Sequence, residues 1–301
     1  MKRSLLLIKI LLCAALLNSC SSRNFSNDLG MEFVLIPGGE FLMGSKISPA
    51  EVGKAFPGRN SKLYEREHPQ HRIKVNSFYM AKCETTVGQF RQFVQKTSYR
   101  SEAHKRGAKV MSPETEWRWV KKQDANWENP YYHQTDAHPV TCVTWNDARA
   151  FVDFLNNNCE NLPSGWVYSL PSEEEWEYAC RGGRNTIFPW GDTLENQALY
   201  SNCGISKKSW KPGLLSGTLP CGSLKPNAFG LYDMTGNLWE WCENTPRDYK
   251  SGKASDLGPK VLRGGAWAAP AYFYRSAFRY ISKESLLNSN ISFRLCLRKK
   301  K

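Results

Sequence analysis

Cysteine is the residue type in this chain with the widest chemical reach. A thiolate can bind a soft metal, attack a disulfide or pair with a second thiol. Ten are present: Cys13, Cys20, Cys83, Cys142, Cys159, Cys180, Cys203, Cys221, Cys242 and Cys296. No two stand in a C-x-x-C spacing, which argues against a thiolate zinc site or a thioredoxin-type pair. Cys13 falls within an apolar N-terminal stretch and Cys20 directly after it. Eight cysteines then remain in the body of the chain. An even number in an exported protein allows up to four bridges, with the pairing open. His68 and His71 are three apart with Pro69 between them, so they share no helical face. They read as loop histidines rather than a metal pair.

The N-terminus carries an address. Lys2-Arg3 precede an apolar stretch from Leu5 to Leu17, then Leu17-Asn18-Ser19-Cys20. The stretch is too short to span a bilayer and describes a secretory signal with a lipoprotein cleavage site. Residues 1–19 are expected to be removed and Cys20 to carry the lipid. Residues 20–30 then form the anchor and a short polar linker, placing the protein in the cell envelope, periplasmic or outer-membrane-associated. Loss of Lys2, Arg3 and Lys9 lowers the net charge from +13 to +10. Outside the cytoplasm that charge points away from nucleic acid and toward anionic lipid or acidic glycan. Residues 299–301 read as a basic tail.

The elements that would position a site are short. The chain holds 11 Trp, 13 Tyr and 14 Phe beside 22 Gly and 16 Pro, a composition that builds a core but spends much length in loops. Glu32–Ile36 and Arg72–Tyr79 read as strands. Three short helices have start signals. Thr86 with Gln89 caps a face of Val87, Phe90 and Val94. Thr144 precedes a stripe of Ala148, Phe151, Val152 and Leu155. Ser172 with Glu175 caps a helix with Trp176, Ala179 and Cys180 inward, stopped by Gly182-Gly183. Residues 185–227 read as irregular loop, and the weakly patterned 98–138 as surface decoration. No repeat or composition break divides the chain.

Seven motifs follow one another in order. They are Phe33–Gly44, Glu67–His71 with Glu84–Phe90, Pro139–Ala148, Leu170–Ala179, Pro189–Asp192, Asn227–Trp241 (NAFGLYDMTGNLWEW) with Val261–Trp267 (VLRGGAW), and Arg275–Arg279 with Ser292–Leu295. Together they resemble the formylglycine-generating-enzyme (sulfatase-modifying factor) family from Met31 to Leu297. The resemblance implies an α+β fold over residues 31–298: one compact domain related to the C-type lectins, with little regular structure and calcium-stiffened loops. In the members that oxidise cysteine to formylglycine, a copper-binding cysteine pair follows the Gly-Gly. Here no cysteine lies between Cys242 and Cys296, and the usual Ser after Gly-Gly is Ala266. The comparison therefore argues against copper and against that oxidase activity, and assigns no catalytic residue. The H-x-x-x-H-x-E pattern of the iron-binding relatives is also missing.

The same resemblance assigns Asn237 and Glu240 to a calcium loop and Asn202 to another, whose acidic partner is not found between Lys211 and Ser216. It places Trp267, Tyr272 and Tyr274 beside a groove for a peptide, glycan or envelope partner. Trp239 or Trp241, and Arg275 or Arg279, are expected to hold the core. The expected function is a lipid-anchored, non-catalytic binding or assembly module. The alternatives are an oxidoreductase acting on a protein cysteine through a non-standard site, with Cys242 and Cys296 as its first suspects, and a calcium-dependent carbohydrate-binding protein.

Overall fold

A computed structural model describes residues 24–56, 62–116, 118–203, 217–254 and 258–300. The expected signal segment and the expected lipidation position, Cys20, lie outside the described residues. The chain runs β1 (Asn24–Ser26), β2 (Glu32–Ile36), β3 (Gly39–Met43), α1 (Pro49–Ala55), α2 (Lys62–Glu65), β4 (His71–Val75), β5 (Phe78–Ala81), α3 (Val87–Thr97), α4 (Glu102–Arg106), β6 (Ala108–Val110) and β7 (Val120–Lys122). It continues with α5 (Trp145–Asn158), β8 (Trp166–Ser169), α6 (Glu173–Arg181), α7 (Gln197–Tyr200), β9 (Trp239–Trp241), β10 (Lys260–Arg263), β11 (Tyr280–Ser282), β12 (Ile291–Ser292) and β13 (Cys296–Lys299).

The first sheet is antiparallel, in the order β1-β2-β5-β13-β8. Its next-to-last strand is the C-terminal one, with Cys296 opposite both Met80 and Ser169. The first and last described strands therefore share one sheet. The second sheet, β11-β10-β9-β12, carries the Gly-rich motifs. The expected strand over 72–79 is two strands. Residues 71–75 pair with β3, while 78–81 pair with β2 and β13, because the chain breaks direction at Asn76-Ser77. The expected linker also contributes structure: residues 24–26 pair with 32–34, and Leu29 is buried.

All three expected helices form, each with a reciprocal capping box: Thr86 with Gln89, Thr144 with Asp147, and Ser172 with Glu175. Each box satisfies two backbone donors that a helix start leaves open, and the cap is worth about 1 kcal/mol. Gly182 ends α6 in the left-handed region, as the sequence required. Helices α3 and α5 pack through Phe90, Phe93, Phe151 and Phe154, with Phe90 and Phe151 stacked at 5.9 Å between centroids. Four further helices of four to seven residues are present among the described residues. They are too short for a periodic signal to reveal.

Residues 98–138 do more than decorate. Ala103, Ala108, Val110 and Ala125 are buried in a small core of their own, and Trp127 packs on Phe90 at 5.4 Å. Their spacing follows long-range packing rather than a helical or strand period. Helix α6 differs from its expected pattern in the same way. Trp176, Ala179 and Cys180 are buried, but so are Glu173, Glu177 and Arg181. Glu177 pairs with Arg181 at 2.8 Å and with Arg263, and Glu173 with Arg279 at 2.5 Å. Burial alone would raise the Glu177 carboxyl; Arg181 and Arg263 outweigh it and hold the group below its ordinary range.

Candidate functional site

The turn after β10 organises the region where the family motifs converge. Gly264 and Gly265 both have left-handed φ, +96° and +79°. A Cβ at Gly265 would stand 2.5 Å from the Tyr274 ring, so the second glycine is required for both reasons. Asn237 receives this turn: its carbonyl accepts from Trp267 N at 2.8 Å. The chain then passes Ala268, Ala269 and Pro270 into a single 3₁₀ turn, Ala271–Tyr274.

That turn decides which aromatics face out. Tyr272 and Tyr274 rotate inward and are 6% and 0% exposed, and Trp267 is 2% exposed. The Tyr274 hydroxyl bonds the carbonyl of Ala266 at 2.9 Å and also meets that of Ala269. The groove role expected for these three is corrected: they are packing residues. Phe273, between the two tyrosines, faces the other way. It forms one wall of a cavity of about 350 Å³ with Trp239, Tyr280 and Trp119. Trp239 meets Phe273 at 5.4 Å and Tyr280 at 5.5 Å, while Tyr280 and Trp119 are 38% and 37% exposed. The lining also includes Ala268, Ala269, Pro270 and Ile291, with Lys109, Asn288 and Asn290.

Two features of this groove matter chemically. Its lining contains no Cys, His, Asp or Glu, and Lys109 is its one charged residue. The side-chain oxygens of Asn288 and Asn290 are buried without a hydrogen-bond partner. Such acceptors cost free energy unless a donor arrives. Sequence alone offered no way to choose Phe273 over its neighbours, nor to bring Trp119 and Lys109 to a site about 150 residues away in sequence.

The residues assigned to calcium are engaged elsewhere. Both Glu240 oxygens are taken, by Arg294 at 2.6 and 2.7 Å and by the Trp176 indole at 2.7 Å. Asn237 Oδ1 accepts from Leu219 N and from Asn202 Nδ2, and its own Nδ2 donates to Glu84. A calcium ion wants six or more oxygens turned toward one point. Among the described residues no group of three or more His, Cys, Asp or Glu could hold a metal. As arranged, Glu240 is paired with Arg294, and Asn202 and Asn237 bond each other, so the side chains of this donor set are not turned toward one point. Behind them, burial and the nearby Asp233 and Glu240 push the Glu84 carboxyl well above its ordinary range.

All eight described cysteines are free, so none of the possible bridges is formed. Cys242 and Cys296 are fully buried, and burial pushes both thiols well above their ordinary range. They flank the groove residues in sequence but belong to a buried core cluster. Cys83 and Cys221 instead line a separate pocket of about 300 Å³ with Glu84. Burial, with Asp233 and Glu84, pushes Cys83 up to about 12, so it is a thiol rather than a nucleophilic thiolate near neutral pH.

A profile of the sulfatase-modifying factor enzyme 1-like domain matches residues 21–299. The chain belongs to that family. The formylglycine-generating enzyme of Bos taurus is 30% identical over 304 residues, covering 86% of this chain and 76% of its own length. The inactive C-alpha-formylglycine-generating enzyme 2 of Bos taurus is 30% identical over 265 residues, covering 80% and 78%. Among solved structures, PvdO from Pseudomonas aeruginosa superposes with a TM-score of 0.69 at 26% identity, covering 91% of this chain and 97% of that one. This sulfatase-modifying-factor domain is thus a single compact unit of formylglycine-generating-enzyme type, and its relatives include one whose name declares it inactive.

Proposed function

We propose that this sulfatase-modifying-factor domain is a non-catalytic binding module, tethered to the cell envelope through Cys20, that holds an extended polypeptide segment. The observation that carries the reading is the lining of the aromatic groove. Oxidising a cysteine needs a soft ligand or a redox group beside the substrate. The groove offers aromatic rings, amide oxygens and one ammonium instead. Rings at 5–6 Å spacing suit side chains of a bound strand, and the unpartnered oxygens of Asn288 and Asn290 suit its backbone N–H groups. A relative of similar identity is named inactive, which is compatible with a non-catalytic reading.

The test uses the full chain in detergent against a displayed random-peptide library, followed by a Cys-containing sulfatase peptide. Enriched peptides should lose at least tenfold in affinity to the Tyr280→Ala variant, whose exposed side chain can be removed without opening the core. The sulfatase peptide should emerge with its cysteine unchanged. Conversion of that cysteine to formylglycine would overturn the non-catalytic reading. Peptides that bind the variant equally well would remove the groove from it.

A further inference from the structure

Edge strand β11 separates two sites, because successive side chains leave a strand on opposite faces. Tyr280 faces the aromatic groove, while Ile281 lines a second cavity of about 300 Å³. Its other walls are Arg66 and His68, Arg279, and the loop from Pro246 to Ala254. The loop is a built structure. Arg247 bridges Ala254, Asp248 N donates to Lys253 O, and Asp248 Oδ1 accepts from Ser251 N at 2.7 Å and its hydroxyl at 2.8 Å.

The lining is cationic. Arg66, Arg247 and Lys253 are exposed, and none makes an ion pair among the described residues. Arg279 adds a guanidinium whose charge Glu173 offsets, and Asp248 is the one acid in the lining. Two polar atoms in the walls are buried with no partner, Nε2 of His68 and the hydroxyl of Tyr249. Tyr249 is fixed between the His71 ring at 4.5 Å and the Arg279 guanidinium at 4.0 Å. Burial, reinforced by Glu173, pushes its phenol well above the ordinary range, so it keeps its proton and remains a donor.

From this lining we propose that the cavity binds a singly protonated phosphate group. The exposed Arg66, Arg247 and Lys253 supply the charge, while Tyr249 O–H and, in the tautomer with its hydrogen on Nε2, the His68 ring supply donors to the oxygens. Asp248 sets the choice between tetrahedral anions. A sulfate ester has no proton and meets the carboxylate as a like charge. A phosphate monoanion turns its O–H toward the carboxylate and gains a hydrogen bond. The site shares no lining residue with the aromatic groove and requires nothing of it.

The experiment is calorimetric titration of the full chain in detergent with inorganic phosphate and, separately, sulfate at pH 6.5 and constant ionic strength. Phosphate should bind saturably, at about millimolar or tighter, with at least fivefold preference over sulfate. The double variant R247Q/K253Q, both positions exposed, should weaken phosphate at least tenfold. Tyr249→Phe keeps the ring packing and should weaken it several-fold at unchanged melting temperature. Asp248→Asn should abolish the preference by strengthening sulfate. No saturable binding, or binding that ignores R247Q/K253Q, would overturn the site. Equal affinity for both anions in the unsubstituted protein would overturn the assignment to a protonated phosphate group.

Discussion

Replacing Glu240 by Gln tests whether this carboxylate serves Arg294 or a calcium ion. Both partners are fully buried, with their closest oxygen and nitrogen 2.6 Å apart. The guanidinium also donates to the carbonyls of Ala81, Lys82 and Tyr232, so it cannot swing to water when its counter-charge is lost. Charge centres about 4 Å apart at an effective dielectric of 20 interact by about 4 kcal/mol. Breaking buried pairs elsewhere costs about 3–5 kcal/mol, in agreement. At about 2–4 °C per kcal/mol for a domain near this size, Glu240→Gln should lower the melting temperature by roughly 6–20 °C. Arg294→Met should cost a similar amount, because it strands Glu240 beside Glu84 and Asp233. The double variant should recover about 2 kcal/mol or more of the summed loss, since neither charge is then left alone. The assay is urea denaturation followed by tryptophan fluorescence, run in a calcium chelator and again with added calcium. Equal losses in both conditions are expected. A loss below about 1 kcal/mol, or one seen only when calcium is present, would refute the ion-pair reasoning and restore Glu240 as a calcium ligand.

Three further predictions concern Glu84, the thiols and Cys20. Burial raises the Glu84 carboxyl, so its contribution to stability is full below its ordinary value of 4.5 and is lost as pH rises toward the folded value. Glu84→Gln keeps an oxygen for Asn237 Nδ2 and should therefore gain on the unsubstituted protein between about pH 4 and 8; parallel pH profiles would show Glu84 ionising normally in the fold. Burial holds Cys159 and Cys203 up to about 11, so at pH 8 roughly a thousandth of each is thiolate, and native thiols should react far more slowly than unfolded ones. All eight should titrate after denaturation without reductant; fewer would reveal bridges. Cys20→Ala should abolish fatty-acyl labelling and release the protein to the soluble fraction, whereas continued membrane partition would remove the anchor from the proposal.

The sequence by itself determined the family, three capped helices and the loss of the cysteine pair. These rest on local rules: a Thr or Ser three residues before Gln, Asp or Glu closes a cap wherever it folds, and a missing thiol is missing in any geometry. The left-handed helix stop at Gly182 was legible for the same reason. Tertiary structure alone decided which aromatics became core and which became groove. One 3₁₀ turn places Phe273 outward and Tyr272 and Tyr274 inward, and sequence spacing cannot set that rotation. It also decided that Glu240 meets Arg294, 54 residues later. A carboxylate and an oxygen-rich loop look alike in sequence whether a metal or a guanidinium neutralises them. Only the fold brings the neutralising charge within bonding distance.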